Sequence, residues 1–164
     1  FFETLLLAVA ALLPIVNPLG GAPIYLAKTS DLSPETHTEL SRRVAINCFM
    51  LLIVSTFIGA YVLDFFGLSI PAVQVAGGGV VCAIGWSLMN EPEQAPVASH
   101  DAVRAVTPAD LARRAFYPLT MPLTVGPGSI SVAITLGANQ PANVRALIAT
   151  SLGHIAGISV VVLI

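Results

Sequence analysis

Two groups of prolines with the same spacing lie in apolar, uncharged parts of this sequence and constrain its fold more than any other feature. Each group has the pattern proline, three residues, proline, four residues, proline. The groups are Pro14, Pro18, Pro23 and Pro118, Pro122, Pro127. A proline inside a helix removes a backbone donor and displaces the carbonyl four residues earlier. Glycines accompany both groups, so each group predicts a broken helix.

The composition places these breaks in a membrane. The chain is 55% apolar and 10% charged, with a mean hydropathy of +0.86, unlike an ordinary soluble domain. A helix needs about 20 apolar residues to cross the hydrocarbon core. Five stretches without Lys, Arg, Asp or Glu can each hold one span: 4–27, 44–63, 65–90, 115–144 and 146–164. We predict an all-α, multi-pass membrane protein with spans over 3–27, 36–64, 71–90, 114–137 and 142–164.

The breaks fall in spans 1 and 4, near 18–21 and 122–128. A bilayer core holds no water, so broken backbone is tolerated there only inside protein or beside a watery cavity. Two matching breaks in two halves of a chain therefore indicate a site between the halves. The register of the halves stays open, because Pro18 pairs with either Pro122 or Pro127.

The same halves give the predicted domain organisation. Residues 1–90 form a first three-helix repeat, 91–113 a cytoplasmic loop ending in a short helix capped by Thr107, and 114–164 a second, incomplete repeat. Because three spans per half is an odd number, we expect two inverted repeats, with a sixth span missing from these residues.

Basic residues set the expected orientation, since cytoplasmic connections carry an excess of Lys and Arg. One side holds Lys28, Arg42, Arg43, Arg104, Arg113 and Arg114, and the other holds Arg145. We therefore expect connections 28–42 and 91–114 in the cytoplasm and the N-terminus outside.

The first proline group can present hydrogen-bonding groups to a ligand. Pro18 and Pro23 deprive two earlier carbonyls of their helical donors. Asn17 adds an amide, while Gly20 and Gly21 allow positive φ and a close approach to the backbone. Free carbonyls from one half-helix and free N–H groups from the next suit an amino acid or another small zwitterion. A kink that only shapes packing is the alternative.

The second group joins a strong helix breaker, Gly-Pro-Gly at 126–128, to small hydroxyl side chains such as Thr124 and Ser129. Two matched breaks favour a functional interpretation over packing alone. The candidate substrate-binding residues are Asn17, Pro18, Gly20, Gly21, Thr124, Gly126, Pro127, Gly128 and Ser129.

Apart from the cysteines, His154 is the titratable side chain well inside a predicted span. It is a candidate for a proton relay or a substrate contact, with a neutral His bonded to a backbone carbonyl as the alternative. Asn47 is a second candidate for this role, although Asn47 and Gln74 are typical of helix–helix hydrogen bonds. The glycines of 76–79 and the pair Gly153 and Gly157 predict close helix contacts.

Other chemistries find little support. Cys48 and Cys82 stand alone, without a C-x-x-C pair, and we interpret both as small buried apolar residues. His100-Asp101 is too isolated for a metal site, and there is no phosphate-binding glycine loop. No Asp or Glu lies in the five uncharged stretches. We predict no enzyme activity, no cofactor and no nucleic-acid partner, with coupling to protons or to sodium left open.

Both proline motifs resemble those of the MarC family of bacterial and archaeal inner-membrane proteins, over nearly the whole chain. The matching residues are Asn17-Pro18-Leu19-Gly20 with Pro23, Pro118-Leu119-x-x-Pro122-Leu123-x-x-Gly126-Pro127-Gly128, and Ala76-Gly77-Gly78. The resemblance implies a prokaryotic inner-membrane location and a plan similar to lysine-exporter-like transporters, with six spans in two inverted repeats. It also implies transport of small neutral amino acids, as efflux.

The sequence therefore favours a secondary transporter that exports alanine, glycine, serine or threonine by alternating access. Its partners are the lipid bilayer and the substrate, and a homo-oligomer stays open. The alternatives are a passive channel for small neutral solutes and a membrane assembly protein that transports nothing.

Overall fold

The computed structural model describes residues 1–30, 32–90, 108–138, 141 and 143–164. All regular structure in these ranges is helical, which confirms the predicted all-α class. The helices are α1 Phe2–Val16, α2 Pro18–Lys28, α3 Pro34–Phe65, α4 Ile70–Asn90, α5 Pro108–Arg114, α6 Pro127–Ala138 and α7 Val144–Leu163. An irregular π-type stretch, Ala115–Thr124, joins α5 to the start of α6, and we call it the proline segment. The inverted repeat, the domain boundaries and the sixth span stay predictions.

Among the described residues, three helical stretches are long and apolar enough to span a membrane: Phe2–Lys28, Pro34–Phe65 and Val144–Leu163. A fourth, formed by Ala109–Thr124 and Pro127–Ala138, meets the same criteria but is bent by 73°. These correspond to predicted spans 1, 2, 5 and 4. Span 3 corresponds to α4, Ile70–Asn90, a helix of 21 residues without a charged side chain.

The longest helix, α3, shows how local sequence sets the ends of a span. The Ser33 hydroxyl accepts a hydrogen bond from the Thr36 N–H at 3.4 Å, and Pro34 occupies the first helical position. Glu39 pairs with Arg43 at 2.7 Å in the first turns. From Arg43 to Asp64 the helix rises roughly 30 Å, the thickness of the hydrocarbon core. The charged residues therefore lie at the two membrane surfaces.

Glycines allow the helices to pack closely. Helix α6 packs chiefly against α3 and α4, and α1 packs against α7. Gly137 of α6 lies directly on the backbone of Thr56 in α3, so an added Cβ would overlap it. On α7, a Cβ at Gly153 would lie 2.8 Å from the Phe1 carbonyl oxygen, and one at Gly157 would lie 2.7 Å from the Ala8 Cβ. The close contacts predicted for Gly153 and Gly157 are therefore confirmed.

The glycines of α4 behave differently from this prediction. Gly77 is buried against α6, and a Cβ there would lie 3.4 Å from the Pro127 carbonyl oxygen. Gly78 and Gly79 have no neighbouring atom within 4 Å of such a Cβ. Of the 76–79 run, Gly77 is thus the glycine in a close contact, because α6 meets α4 along one face only.

Two buried clusters hold the described helices together. The larger one joins α1, α3, α6 and α7, together with Val125, which lies between the proline segment and α6. The smaller one joins the start of α3 to α5 and the proline segment through Leu40, Leu111, Ala115 and Leu119. The packing of this second cluster brings the basic ends of α3 and α5 to the same side of the molecule.

Candidate functional site

The first break lies at a single residue, Asn17, which has left-handed φ and ψ of 43° and 61°. Asn is one of the few residues other than Gly that adopts this conformation readily. Its N–H donates to the Leu13 carbonyl at 2.9 Å, which ends α1. Its side-chain oxygen accepts from the Gly20 N–H at 3.2 Å, which begins α2. One side chain therefore caps two helices, with Pro18 at the first position of the second.

This geometry corrects the predicted break at 18–21. Gly20 and Gly21 lie inside α2, and Gly67 is the positive-φ glycine of the described residues. Gly20 and Gly21 do not adopt the positive φ that glycine allows, because Asn17 already supplies the left-handed residue. Position 20 requires a glycine for another reason, because a Cβ there would overlap the Asn17 side chain. Around a Cβ at Gly21 there is open space.

The first break leaves mainly acceptors without partners. Pro18 has no N–H for the Pro14 carbonyl, and the Gly20 N–H is held by Asn17. Within residues 13–21, which are all described, no hydrogen bond reaches the carbonyls of Pro14, Ile15 and Val16 or the N–H of Leu19. The carbonyl end of α1 carries a partial negative charge. The break thus offers three acceptors and one donor.

The second break is longer than predicted and begins within the proline segment. Tyr117 and Met121 have extended backbone, with φ of −127° and −122°. Each precedes a proline, whose ring excludes the helical conformation of the residue before it. The hydroxyls of Thr120 and Thr124 donate to the carbonyls of Ala115 and Leu119 at 2.7 and 2.8 Å. These hydroxyls replace backbone donors that the irregular backbone no longer supplies.

The second break ends at the amino end of α6, where donors lack partners. The Ile130 N–H and the Ser129 hydroxyl both donate to the Gly126 carbonyl, at 3.1 and 2.9 Å. In the described stretch 115–138, no hydrogen bond is formed by the N–H groups of Gly126, Gly128 and Ser129. The amino end of a helix carries a partial positive charge. This break therefore offers the donors that the first break lacks.

The structure brings the two breaks to one core. Val16 directly precedes the first break and Val125 lies near the end of the second, and both belong to the larger buried cluster at 5% and 0% exposure. Helix α1 contacts α6, and α2 contacts the proline segment. Cys48 of α3 lies in the same cluster, with its thiol beside the hydroxyls of Thr120 and Thr124. The sequence missed this contact of Cys48, because nothing local relates it to the second proline group.

The predicted site residues differ in exposure. Thr124, Gly126 and Gly128 are partly buried. Ser129 is buried at 1% exposure. Among the remaining candidates, Asn17, Gly20 and Pro127 are exposed, and Pro18 and Gly21 are half-buried. The second break thus lies deeper in the described part of the molecule than the first.

Of the other candidates, His154 is buried at 2% exposure, and its Nδ1 has no hydrogen-bond partner. Asn47 is half-buried on α3. The Gln74 amide donates to the Thr135 hydroxyl at 2.7 Å, which confirms the predicted helix–helix hydrogen bond. In the described ranges no three His, Cys, Asp or Glu side chains come together as a metal site. The predictions for His100, Asp101, Arg104 and Thr107 fall on residues outside these ranges.

A separate cavity of about 560 Å³ lies between α3, α4, α6 and α7. Its lining residues are Thr56, Phe57, Ala60, Tyr61, Asp64, Ile70, Gly137, Ala138, Leu147 and Ser151. The cavity was not predicted from the sequence, since four helices distant in sequence form its walls. A pattern that could have indicated it is the polar series Thr56, Tyr61 and Asp64 near the end of an otherwise apolar span.

The fold and the two breaks define a class of protein, a multi-pass helical membrane protein with interrupted spans. The chain belongs to the MarC family: it matches "MarC family integral membrane protein" over residues 2–164. It is similar to UPF0056 inner membrane protein MarC of Escherichia coli strain UTI89, at 32% identity over 137 residues, covering 82% of this chain and 62% of that relative. The protein of the same name from strain K12 is 31% identical with the same coverage.

The chain thus spans 62% of the length of these curated relatives. No solved structure matches it. The family match confirms the resemblance predicted from the two proline motifs. The names of the relatives and the apolar helices also agree with the predicted multi-pass location in the inner membrane.

Proposed function

We propose that this protein is a secondary transporter of small neutral amino acids, with its substrate held between the two breaks. The observation that carries the proposal is the opposite hydrogen-bonding character of the breaks. The first offers the carbonyls of Pro14, Ile15 and Val16, and the second offers the N–H groups of Gly126, Gly128 and Ser129.

A zwitterion matches both ends at once. Its ammonium group donates to carbonyls at the negative end of α1, and its carboxylate accepts from N–H groups at the positive end of α6. Hydrogen bonds to a charged group contribute about 1.5–3 kcal/mol each. An unsatisfied backbone group in a bilayer costs several kcal/mol, so occupied breaks are more stable than empty ones. A ligand that has only the ammonium group or only the carboxylate leaves one of the two breaks without a hydrogen-bond partner.

The small residues around the second break favour a small substrate. Gly126 and Gly128 have no side chain, and Thr124 and the neighbouring Cys48 have small ones. This setting suits alanine, glycine, serine or threonine. Neither break carries an acidic or basic side chain, in keeping with a neutral substrate.

The transport cycle in this proposal is alternating access between two inverted repeats. The basic ends of α3 and α5 lie together, which supports a cytoplasmic position for them and an outside position for the N-terminus. Export is the proposed direction. The whole chain then works as a carrier rather than an enzyme, in contact with lipid, and its coupling ion is a proton or sodium.

Counterflow of labelled alanine in proteoliposomes tests this function. Vesicles loaded with unlabelled alanine are expected to accumulate the label transiently and saturably. Flux that never saturates supports a channel instead, and the absence of flux for all four amino acids contradicts transport.

A matched pair of neighbouring glycines tests the role of the first break. Gly20→Ala displaces the Asn17 amide from its cap, whereas Gly21→Ala enters open space on the same helix. We expect exchange to be lost or strongly slowed in Gly20→Ala and kept in Gly21→Ala, with both proteins monodisperse in detergent. Equal exchange rates in the two variants contradict the assignment of the first break to the site.

A further inference from the structure

The cavity between α3, α4, α6 and α7 lies away from the two breaks. Thr56 lies eight residues beyond Cys48 on α3, and Gly137 lies eight beyond Ser129 on α6. A helix rises about 12 Å over that distance, so the cavity is closer to the proposed outer surface. Leu52 and Ala133, both 0% exposed, lie between the two levels. The cavity is therefore separated from the breaks by a packed apolar layer.

The cavity has a polar side that reaches from the surface inward. Asp64 lies where α3 reaches the proposed outer surface of the inner membrane, and Tyr61 lies one turn deeper. Thr56 and Ser151 add hydroxyls at the inner end. Polar groups in this order are typical of a water-filled entrance, because lipid does not satisfy them.

His154 lies directly below this entrance. Leu147, Ser151 and His154 are spaced i, i+4 and i+7, which places them on one face of α7. Leu147 and Ser151 line the cavity, and His154 is roughly 4.5 Å farther along the helix than Ser151. Its Nδ1 is buried without a partner. An unsatisfied buried polar atom costs about 1–3 kcal/mol, so it requires an explanation.

We infer that the cavity is a proton entrance and that His154, beneath its floor, accepts the proton that drives amino-acid export. The inference rests on the proposed function and adds its coupling ion. When the packed floor loosens, water in the cavity reaches His154. One proton then passes from a hydronium ion outside to the imidazole nitrogen, and the same proton leaves to cytoplasmic water as one zwitterion is exported. No covalent bond of the substrate changes.

The surroundings favour a proton over an alkali cation. The titratable and charged groups on the helices packed against α7 are Glu3 on α1 and, on α3, Glu35, His37, Glu39, Arg42, Arg43, Cys48, Tyr61 and Asp64. Arg145 lies at the outer end of α7 itself. None of these groups is hydrogen-bonded to the Nδ1 of His154. A single imidazole nitrogen accepts a proton, whereas hard cations require several oxygen ligands.

Proteoliposomes loaded with alanine and a pH-sensitive dye test the inference. Outward alanine flow is expected to acidify the lumen of wild-type vesicles. His154→Gln is expected to keep alanine counterflow, which needs no net proton movement, and to lose acidification down to the rate of empty vesicles. His37→Gln is the matched control, because His37 lies beside Tyr25 and Thr29 at the other end of the molecule. It is expected to keep both activities.

A second variant blocks the entrance without changing the histidine. Leu147→Trp fills the cavity and is expected to slow acidification while counterflow continues. If His154→Gln misfolds and loses counterflow, Leu147→Trp still tests the inference. Acidification at the wild-type rate in Leu147→Trp or His154→Gln overturns the inference. Wild-type counterflow without acidification overturns the inference alone, whereas a lack of counterflow in the wild type overturns the proposed function as well.

Discussion

Gly137→Ala tests a close helix contact, the one between α3 and α6. The added Cβ would overlap the backbone of Thr56, which has no rotamer that relieves the clash. The helices must therefore separate, and overpacking of this kind costs about 1–3 kcal/mol. Alanine gains up to about 1 kcal/mol of helix propensity over glycine. We expect a net destabilisation of up to about 2 kcal/mol, or a melting temperature lower by up to roughly 8 °C.

The matched control is Gly79→Ala, since no atom lies within 4 Å of a Cβ at Gly79 in α4. It has the same change in propensity without the clash, so its melting temperature is expected to stay equal or rise. The assay is the loss of monodisperse protein on heating in detergent, measured for wild type and both variants. Equal melting temperatures for Gly137→Ala and Gly79→Ala would refute the close α3–α6 crossing.

Three further substitutions test other contacts. In thermal denaturation, Asn17→Ala is expected to lower the free energy of unfolding by roughly 2–3 kcal/mol, because it removes the cap and places alanine in left-handed backbone. Asn17→Gly is expected to lower it by only a few tenths of a kcal/mol, and equal losses in the two variants contradict the double cap. Gly157→Ala should lower the melting temperature because its Cβ meets Ala8, whereas Gly85→Ala, with nothing within 4 Å, should not. A double-mutant cycle of Gln74→Leu and Thr135→Val should give a coupling energy of about 0.6 kcal/mol, and zero coupling contradicts the α4–α6 hydrogen bond.

The local chemistry of proline explains which parts of the fold the sequence predicts. Pro118 and Pro122 force extended backbone on Tyr117 and Met121, so a break in this span follows from the sequence alone. Ser33 and Pro34 likewise begin α3 where their residue types predict. In each case the deciding contacts lie within a few residues of each other.

Features that depend on packing could not be predicted in the same way. The first break lies at Asn17 rather than at the glycines, because several residue types can end a helix and the sequence does not rank them. The contact of Cys48 with Thr120 and Thr124 depends on how α3 meets the proline segment. His154 was identifiable as an unusual residue in an apolar span, but its position below a cavity required the packing of four helices.

The central claim is that the two breaks together recognise both charges of a zwitterion. Competition against labelled alanine counterflow tests it most directly, with propionate as the ligand that has only the carboxylate and ethylamine as the one that has only the ammonium group. Removing either charge removes at least two hydrogen bonds of about 1.5 kcal/mol each, which is about a hundredfold in affinity. We predict that both compounds compete about a hundredfold more weakly than unlabelled alanine. Competition by either compound at the level of alanine would contradict the claim.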